Sequence, residues 1–391
     1  MSKIAPDLFV FPNKVIFGRG SIRELESQLS KLKVSRPLFV TDAGLIKNGL
    51  ASTVHQELKN EGMDGPIFDG SDENPTEENV LEGLEIYEKE KCDGIIGFGG
   101  GSSLDAAKGI RVKSTHSLPL AEYAIGAGGW DKLVNPMPPM AAVPTTAGTG
   151  SEVGRGALII VRPSGAKVAI AGENLFPSFS LCDPELTVNL PPFLTAGTGM
   201  DALTHCIEEY LSPKYNPLVD GMVLEGIRRA RNSIVRAYEN GSDLEARGEM
   251  MIAAMIGGIG FSKGLGVVHS LSHPIGSVIG GHHGTINAIL LPAALEFNFN
   301  HSLSRFLALA DALGVKPLSQ TDEASGQAVI AYVRDLNHKL KIPEDLSVYG
   351  ARSDQIPEML PMCMADHCHK TNPRPCTEED FKQLLEAHIP Q

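Results

Sequence analysis

Acidic and imidazole side chains at helical spacing are the first sign of chemistry in this sequence. Asp201 lies four residues before a histidine in "GMDALTHCIEEYLS", and a second stretch, "GLGVVHSLSHPIGSVIGGHHG", repeats the four-residue spacing between two histidines. Residues four apart lie on the same face of an α-helix, so each pair would project from one side. Together the two stretches hold five of the twelve histidines of the chain, namely His205, His269, His273, His282 and His283.

A divalent metal ion would explain so many imidazoles in an otherwise apolar region. Buried polar groups without partners cost about 1 to 3 kcal/mol each. One carboxylate and three imidazoles suit a first-row divalent ion. Such an ion would lower the pKa of an alcohol held at an open coordination position, so that an alkoxide forms near neutral pH and passes hydride to C4 of a nicotinamide. The competing interpretation is a set of ordinary buried histidines.

A glycine-rich turn suggests an anion site. In "IIGFGGGSSLDAAKGI" an apolar strand leads into a glycine run that ends at Gly101, and Ser102 stands where a helix would begin. Glycines let a ligand approach the backbone, and the N-terminus of a helix favours an anion such as pyrophosphate. The spacing matches neither G-x-G-x-x-G nor a P-loop, so a tight turn without a ligand is the alternative.

Two further stretches are consistent with a dinucleotide. Asp42 ends the apolar run "PLFVTD", where a carboxylate accepts a hydrogen bond from a ribose 2′-hydroxyl and repels a 2′-phosphate. "VPTTAGTGSEVG" places Thr145, Thr146, Thr149 and Ser151 among glycines, which suits contacts to phosphate and nicotinamide. A surface aspartate and a polar loop are the alternative interpretations.

The order of the elements predicts how these residues are positioned. Short β-rich runs alternate with helical stretches up to "FSLCDP", which predicts an α/β dinucleotide-binding domain with a parallel, Rossmann-like sheet over residues 1 to 187. Residues 188 to 391 show helical periodicity broken by Gly and Pro, which predicts an all-α metal-binding and catalytic domain. The active site is expected in the cleft between them. The predicted strands are "KVIFG", "PLFVTD", "DGIIGFGGG", "MAAVPTT", "ALIIVRP", "KVAIAG" and "FSLCDP".

Composition narrows the class of protein. The net charge of −13 has no compensating basic patch, which argues against nucleic acid and membrane partners. The absence of a signal peptide pattern and of a long apolar run predicts a cytoplasmic location. The six cysteines are expected to be thiols. The late cluster "CMADHCHKTNPRPC" has spacings that do not favour a structural zinc site.

The sequence resembles the iron-containing (group III) alcohol dehydrogenase family over nearly its whole length. The stretches that carry the resemblance are "FGGGSSLDAAKGI", "VPTTAGTGSEV", "DPELTVNLPPFLTAGTGMDALTHCIEEYLS", "NPLVDGMVLEGI", "GLGVVHSLSHPIG", "HGTINAILLP" and the late "NPR". The resemblance implies reversible NAD(P)-linked oxidation of an alcohol to an aldehyde or ketone, with Fe²⁺ as the metal, Zn²⁺ as a possible substitute, and a homodimer or higher homo-oligomer.

The resemblance also assigns roles to individual residues. It implies that the metal ligands are Asp201, His205, His269 and His283. It places His273 beside the nicotinamide, where we hypothesise that it assists proton exchange. It implies a cofactor site formed by Asp42, Gly99, Gly100, Gly101, Ser102, Thr145, Thr146 and Lys167, and it associates Asp42 with NAD rather than NADP.

Two departures from the family pattern affect the substrate pocket. His282 stands where the family usually has Pro, and Lys263 replaces a small polar residue. With Trp130 and Phe261, Lys263 is expected to contribute to the cleft, and the substrate stays undetermined. The alternatives are a glycerol dehydrogenase or a dehydroquinate synthase on the same scaffold, and a non-catalytic sensor of metal or nucleotide.

Overall fold

The first part of the chain forms a six-stranded parallel sheet. The computed structural model describes residues 13–317, 319 and 321–390. Its strands are β1 (Lys14–Phe17), β2 (Pro37–Val40), β3 (Ile67–Phe68), β4 (Gly94–Gly99), β5 (Met140–Pro144), β6 (Gly156–Ile160), β7 (Lys167–Ala171) and β8 (Phe179–Cys182). The order in the sheet is β1-β8-β5-β4-β2-β3, and every pairing is parallel.

The central strands are apolar throughout because both faces of the sheet are covered. β2, β4 and β5 are buried along their whole length. Alternate residues point to opposite faces, so Ile95 packs in one apolar core while Ile96 and Phe98 pack in another. The predicted parallel α/β architecture is confirmed.

Two of the predicted strands do not belong to this sheet. β6 and β7 form an antiparallel hairpin in which Leu158 lies opposite Ala169, and among the described residues neither pairs with another strand. The turn between them contains Gly165, at φ 68°. β3 was not predicted, because two residues are too few for an alternating pattern.

Helices cover the sheet and then form the second half of the chain. The helices of the described residues are α1 (Leu25–Lys31), α2 (Ala43–Lys47), α3 (Leu50–Asn60), α4 (Glu77–Lys89), α5 (Gly101–Lys113), α6 (Pro192–Leu211), α7 (Pro217–Glu239), α8 (Leu244–Gly260), α9 (Val267–Val278), α10 (His283–Asn298), α11 (Leu303–Leu313), α12 (Asp322–Lys339), α13 (Ile356–Ala365) and α14 (Glu378–Glu386). The predicted helical second half is confirmed, whereas the domain boundary at 187 stays a prediction.

One apolar core holds the helical half together. It runs from Ala196 on α6 to Ile389, and α6 is its centre because it packs against α7, α8 and α10. Sixteen of the twenty residues of α6 are buried, including Asp201 and His205. In the described residues, no single helix has the length and apolar character of a membrane span, although α8 and α9 together pass that test as a pair bent by 104°.

Candidate active site and metal centre

Three imidazoles surround one carboxylate oxygen. Nε2 of His205, His269 and His283 lies 3.6, 3.7 and 3.8 Å from Oδ1 of Asp201. Asp201 and His205 lie on α6, His269 lies on α9, and His283 is the first residue of α10. Donor atoms around a single cation have spacings of this order, because each bond to such a metal is about 2.0 to 2.2 Å long. The donor set therefore fits a first-row divalent ion.

Glycines at the helix contacts bring these side chains together. A Cβ on Gly284 would lie 2.3 Å from the carbonyl oxygen of Gly197, so α10 can approach α6 this closely only with glycine. His282 does not face Asp201. Its side chain instead accepts a hydrogen bond from the backbone N–H of Thr285 at 3.3 Å and caps α10.

Two residues that sequence reasoning missed support the donor atoms. Glu208 accepts from Nδ1 of His269 at 2.6 Å, which leaves Nε2 of His269 facing Asp201. Asn287 donates to Oδ1 of Asp201 at 2.8 Å. Asn287 follows His283 by one helical turn, and Glu208 follows His205 by three residues, so helical spacing was the signal available in the sequence.

Burial and mutual charge interactions shape the titration of this group. Burial lowers the pKa of His205 to about 4 and that of His283 well below its ordinary value, so both imidazoles are neutral at pH 7. Burial also lowers the pKa of His269, but Glu208 and then Asp201 outweigh it and raise the value to about 9. For Asp201 burial raises the pKa, yet His205 and the other two imidazoles bring it below the ordinary range. Neutral imidazoles and an ionised carboxylate are the forms that bind metals, so His205, His283 and Asp201 already have the binding form, whereas His269 has to release a proton when an ion binds.

Asp201, His205, His269 and His283 are called the metal group below. His273 lies beside this group of potential ligands and has its own carboxylate partner. Its ring stacks on that of His283 at a centroid distance of 5.5 Å. Asp366 accepts from Nδ1 of His273 at 2.8 Å, while Ser270 and the backbone N–H of Cys368 donate to the other Asp366 oxygen at 2.6 and 2.8 Å. Nε2 of His273 is buried without a partner among the described residues, and the residue lines the cleft. Asp366 was not identified from the sequence.

The predicted cofactor residues lie at the carboxyl ends of neighbouring strands. Asp42 follows β2, the glycine turn follows β4, and the threonine loop follows β5. Ligands of parallel α/β sheets bind at this edge. Gly99 has φ 151°, which only glycine adopts readily. A Cβ on Gly101 would lie 2.6 Å from Cγ2 of Thr149, so the threonine loop packs directly on the turn.

Asp42 and Lys167 already have partners within the protein. One oxygen of Asp42 accepts from the backbone N–H of Leu45 at 3.0 Å and caps α2, and the other accepts from Ser103 at 3.4 Å. Lys167 donates to Oδ1 of Asn74 at 2.9 Å. Both residues are half-buried and line the cleft, so each retains a face toward a ligand.

A single large cavity joins the two groups of residues. Its volume is about 1020 Å³, and it is lined by Asp42, Gly100, Gly101, Ser102, Thr145, Thr146, Lys167, Asp201, His205, His269, His273 and His283. Trp130 and Phe261 also line it, as expected. Phe261 packs edge-on against the ring of His205 at 5.0 Å, so it forms a wall next to the metal group.

Lys263 lines the cleft, as expected, but it is fully buried. The ammonium group donates to the carbonyl oxygens of Glu209 and Tyr210 at 2.6 and 3.1 Å and pairs with Asp220. Lys263 therefore ties α6 to the segment after α8 and offers no charge to a ligand.

The cysteines are thiols, as expected. All six are unpaired, and five of them are buried. Cys368 lies close to His273 and Asp366 in a group of three possible ligands, in which Asp366 already serves as a hydrogen-bond acceptor.

Comparisons with known proteins agree with this geometry. Two family models together span most of the chain: iron-containing alcohol dehydrogenase over residues 12–184, and the C-terminal part of the Fe-containing alcohol dehydrogenase family over residues 195–389. The chain is 40% identical to a 4-hydroxybutyrate dehydrogenase of Cupriavidus necator, covering 95% of this chain and 96% of that protein. It is 36% identical to a choline dehydrogenase of Bacillus subtilis over 96% and 93% of the two chains. It is also 36% identical to a 1,3-propanediol dehydrogenase of Klebsiella pneumoniae, over 96% and 97%.

Solved structures give the same result. A 1,3-propanediol oxidoreductase superimposes with a TM-score of 0.92 at 34% identity, covering 98% of this chain and all of that one. An alcohol dehydrogenase from Oenococcus oeni also gives 0.92, at 33% identity and the same coverage. The chain belongs to the iron-containing alcohol dehydrogenase family, whose members are oxidoreductases that act on alcohols.

Proposed function

We propose that this protein interconverts an alcohol and its aldehyde or ketone, using NAD(H) and one divalent metal ion. The observation that carries the proposal is that one cavity of about 1020 Å³ is lined both by a glycine turn at a helix N-terminus and by a carboxylate surrounded by three imidazoles. A dehydrogenase must hold a dinucleotide and an alcohol oxygen within one space that excludes bulk water.

The chain's own residues divide into two groups of roles. Asp201, His205, His269 and His283 would hold the ion, which supplies Lewis acidity toward the alcohol oxygen. Glu208 orients His269 for this task. Gly100, Gly101 and Ser102, at the start of α5, would hold the pyrophosphate, since their backbone N–H groups are free at a helix N-terminus.

His273 is proposed to exchange the proton of the substrate hydroxyl with solvent. Burial lowers its pKa, although Asp366 acts in the opposite direction, so its Nε2 is a proton acceptor at neutral pH. Asp366 keeps the proton on Nδ1 and orients the ring. Asp366 is thus a positioning residue for His273.

The chemistry of single residues bears on the identity of the dinucleotide and of the metal. The carboxylate of Asp42 favours NAD over NADP, because it repels a 2′-phosphate. The ligand set accepts Zn²⁺ at least as tightly as Fe²⁺, so metal supply decides occupancy. Elemental analysis of protein purified without added metal distinguishes the two. A cytoplasmic location and a homo-oligomer stay predictions.

The names of the relatives do not agree on the charge of the substrate. 4-Hydroxybutyrate carries a carboxylate, 1,3-propanediol is neutral and choline carries a quaternary ammonium group. The alcohol is therefore chosen by residues that differ among relatives.

The test is a spectroscopic assay of metal-loaded protein. NADH oxidation is followed at 340 nm with short aldehydes, longer aldehydes, hydroxy-acid semialdehydes and sugar-derived aldehydes. We expect turnover with at least one class and a loss of turnover and of bound metal in His269→Ala. Binding of NADH and metal without turnover of any class would instead support a sensor.

A further inference from the structure

The cleft contains a guanidinium group that has no partner in the protein. Arg155 lines the same cavity as the metal group and His273. Its guanidinium forms no hydrogen bond, and no ion pair within 4 Å, with any described residue, and its Nη1 is buried. A charged donor without an acceptor is costly to bury, so Arg155 is built to meet an acceptor that comes from outside the chain.

The other cationic side chains of the cleft already donate hydrogen bonds to groups of the protein. Four Lys or Arg residues line the described part of the cavity: Arg155, Lys167, Lys214 and Lys263. Lys167 donates to Asn74, Lys214 to the carbonyl oxygen of Ser262, and Lys263 to Glu209, Tyr210 and Asp220. Arg155 is the one of the four that has no hydrogen-bond or ion-pair partner among the described residues.

The backbone around Arg155 is held firmly. Lys108, buried on α5, donates to the carbonyl oxygens of Gly154 and Gly156 on either side of it, at 3.0 and 2.7 Å. The carbonyl oxygen of Arg155 accepts from Gly172 at 3.1 Å. A fixed backbone lets a long side chain present its charge at a defined place.

An aromatic ring also holds the side chain. The guanidinium carbon lies 4.4 Å from the centroid of the Trp130 ring, and Trp130 lines the cleft too. Stacking uses one face of the guanidinium. Its Nη1 is buried, but Nε and Nη2 are not and have no partner among the described residues, so this edge can donate two parallel hydrogen bonds. Burial lowers the pKa of Arg155, and Glu173 acts in the opposite direction, although Glu173 is exposed and forms no ion pair with Arg155 within 4 Å.

We propose that the substrate of this enzyme carries a carboxylate at the end remote from its reacting carbon, and that Arg155 binds this carboxylate. A carboxylate offers the two coplanar acceptors that a guanidinium edge matches. The substrate class is then the ω-hydroxy acids and their semialdehydes. A substrate with a quaternary ammonium group would be repelled. The proposal rests on the proposed dehydrogenase function for its reaction, but not for the binding of the anion.

The first test compares two aldehydes of equal length, 4-oxobutanoate and butanal, as substrates of the metal-loaded enzyme with NADH. We expect the wild-type protein to have a kcat/KM for 4-oxobutanoate about 10- to 100-fold above that for butanal. Arg155→Gln is expected to remove this ratio, mainly through KM of the carboxylate. Arg155→Lys keeps the charge but cannot form two parallel hydrogen bonds, so its kcat/KM ratio is expected to lie between those of the wild type and of Arg155→Gln.

Lys214→Met is the matched control, since Lys214 is a second cation of the cleft whose ammonium is already bonded. It is expected to keep the wild-type ratio. Wild-type protein without preference for the carboxylate, an unchanged ratio in Arg155→Gln, or loss of the ratio in Lys214→Met would overturn the proposal. A larger rise in the KM of NADH than in that of 4-oxobutanoate would assign Arg155 to the cofactor instead.

The second test does not require turnover. Trp130 is the only tryptophan of the chain, so its fluorescence reports directly on the ring beside Arg155. Titration with 4-hydroxybutanoate, without cofactor, is expected to change this fluorescence saturably in the wild type and not in Arg155→Gln, with 1-butanol as the neutral control. If no aldehyde is reduced but this titration succeeds, the dehydrogenase function fails and the carboxylate site stands. A titration without saturable change overturns the site.

Discussion

At the scale of single residues, the contact between Asp366 and His273 yields the sharpest prediction. Asp366→Asn keeps the shape of the side chain but removes its charge. We expect kcat to fall by roughly 10²-fold. The two donors to Oδ1, Ser270 and the backbone N–H of Cys368, hold the amide oxygen in that place, so the amide NH2 faces Nδ1 and His273 loses the acceptor that fixes its tautomer. Since Asp366 raises the pKa of His273, its loss lowers that pKa further, and the limb of the pH–rate profile that reports His273 moves toward lower pH.

A double-mutant cycle separates positioning from a structural effect of Asp366. If Asp366 acts through His273, Asp366→Asn should change kcat little in a protein that already carries His273→Ala. Metal content and the KM for NADH should match the wild type in both single variants. An unchanged pH–rate profile in His273→Ala would show that His273 does not take part in proton exchange. An equal loss of kcat from Asp366→Asn with and without His273 would show that Asp366 has a structural role instead.

Asp42 yields a prediction about cofactor choice. Asp42→Asn retains an oxygen that caps α2 but removes the charge that opposes a 2′-phosphate. We expect the ratio of kcat/KM for NADP to that for NAD to rise about tenfold or more, with unchanged thermal stability. Equal efficiency with both cofactors in the wild-type protein would refute the role given to Asp42.

One physical property separates the residues that were predicted from those that were missed, namely whether their contacts are local in the sequence. Asp201 and His205 were recognisable because helical spacing is local. Asp366 contacts His273 across 93 positions, and Arg155 acquires its meaning only from Trp130 and from the partners of the other cations. No local pattern contains such contacts. Lys263 shows the converse. Its position in the sequence predicted a place in the cleft, but its ammonium group is bonded to buried acceptors and does not face the cleft.

At the scale of secondary-structure elements, Lys108 connects α5 to the start of the hairpin. Its ammonium donates to the carbonyl oxygens of Ser151, Gly154 and Gly156 at 2.7, 3.0 and 2.7 Å. Lys108→Met would remove a buried charged donor from all three carbonyls, of which that of Ser151 keeps the backbone N–H of Gly154 as a donor. We expect a loss of about 3 to 5 kcal/mol in the free energy of unfolding, measured as a lower urea midpoint.

Lys113→Met is the matched control on the same helix. Lys113 also donates to backbone carbonyls, those of Ser117 and Leu118 at 3.3 and 2.8 Å, but in an exposed setting where water replaces it. Its loss should cost less than about 1 kcal/mol. Equal midpoints for the two variants would contradict the view that burial makes Lys108 important.

The strands show where local pattern stops being informative. Every predicted strand exists, yet β6 and β7 form a hairpin outside the parallel sheet. Alternation and β-branched residues determine that a segment is extended, whereas its partner depends on contacts that the segment does not contain. The hairpin matters for function, because its residues Leu158, Lys167 and Ala169 line the cleft opposite the helices.

At the scale of the whole molecule, the metal group joins three helices that are separate in sequence. α6, α9 and α10 contribute Asp201 with His205, His269 and His283, so an ion bound there links elements across 83 residues of chain. A ligand that binds only the folded protein stabilises it by RT ln(1 + [L]/Kd), which is about 2.7 kcal/mol at a hundredfold excess over Kd. Removal of the ion by a chelator is therefore expected to lower the melting temperature by several degrees, and re-addition of Fe²⁺ or Zn²⁺ to restore it.

Asp201→Asn provides the control for this last prediction. The variant keeps a side chain of the same shape but lacks the carboxylate, so it should bind little metal, and its melting temperature should not respond to chelator or added ion. Without the ion, the wild type and the variant should melt within a few degrees of each other, because α6 stays packed against α7, α8 and α10 through apolar contacts. If neither chelator nor added metal changes the melting temperature of the wild type, the side chains of Asp201, His205, His269 and His283 do not bind an ion. The proposed reaction would then lack its Lewis acid.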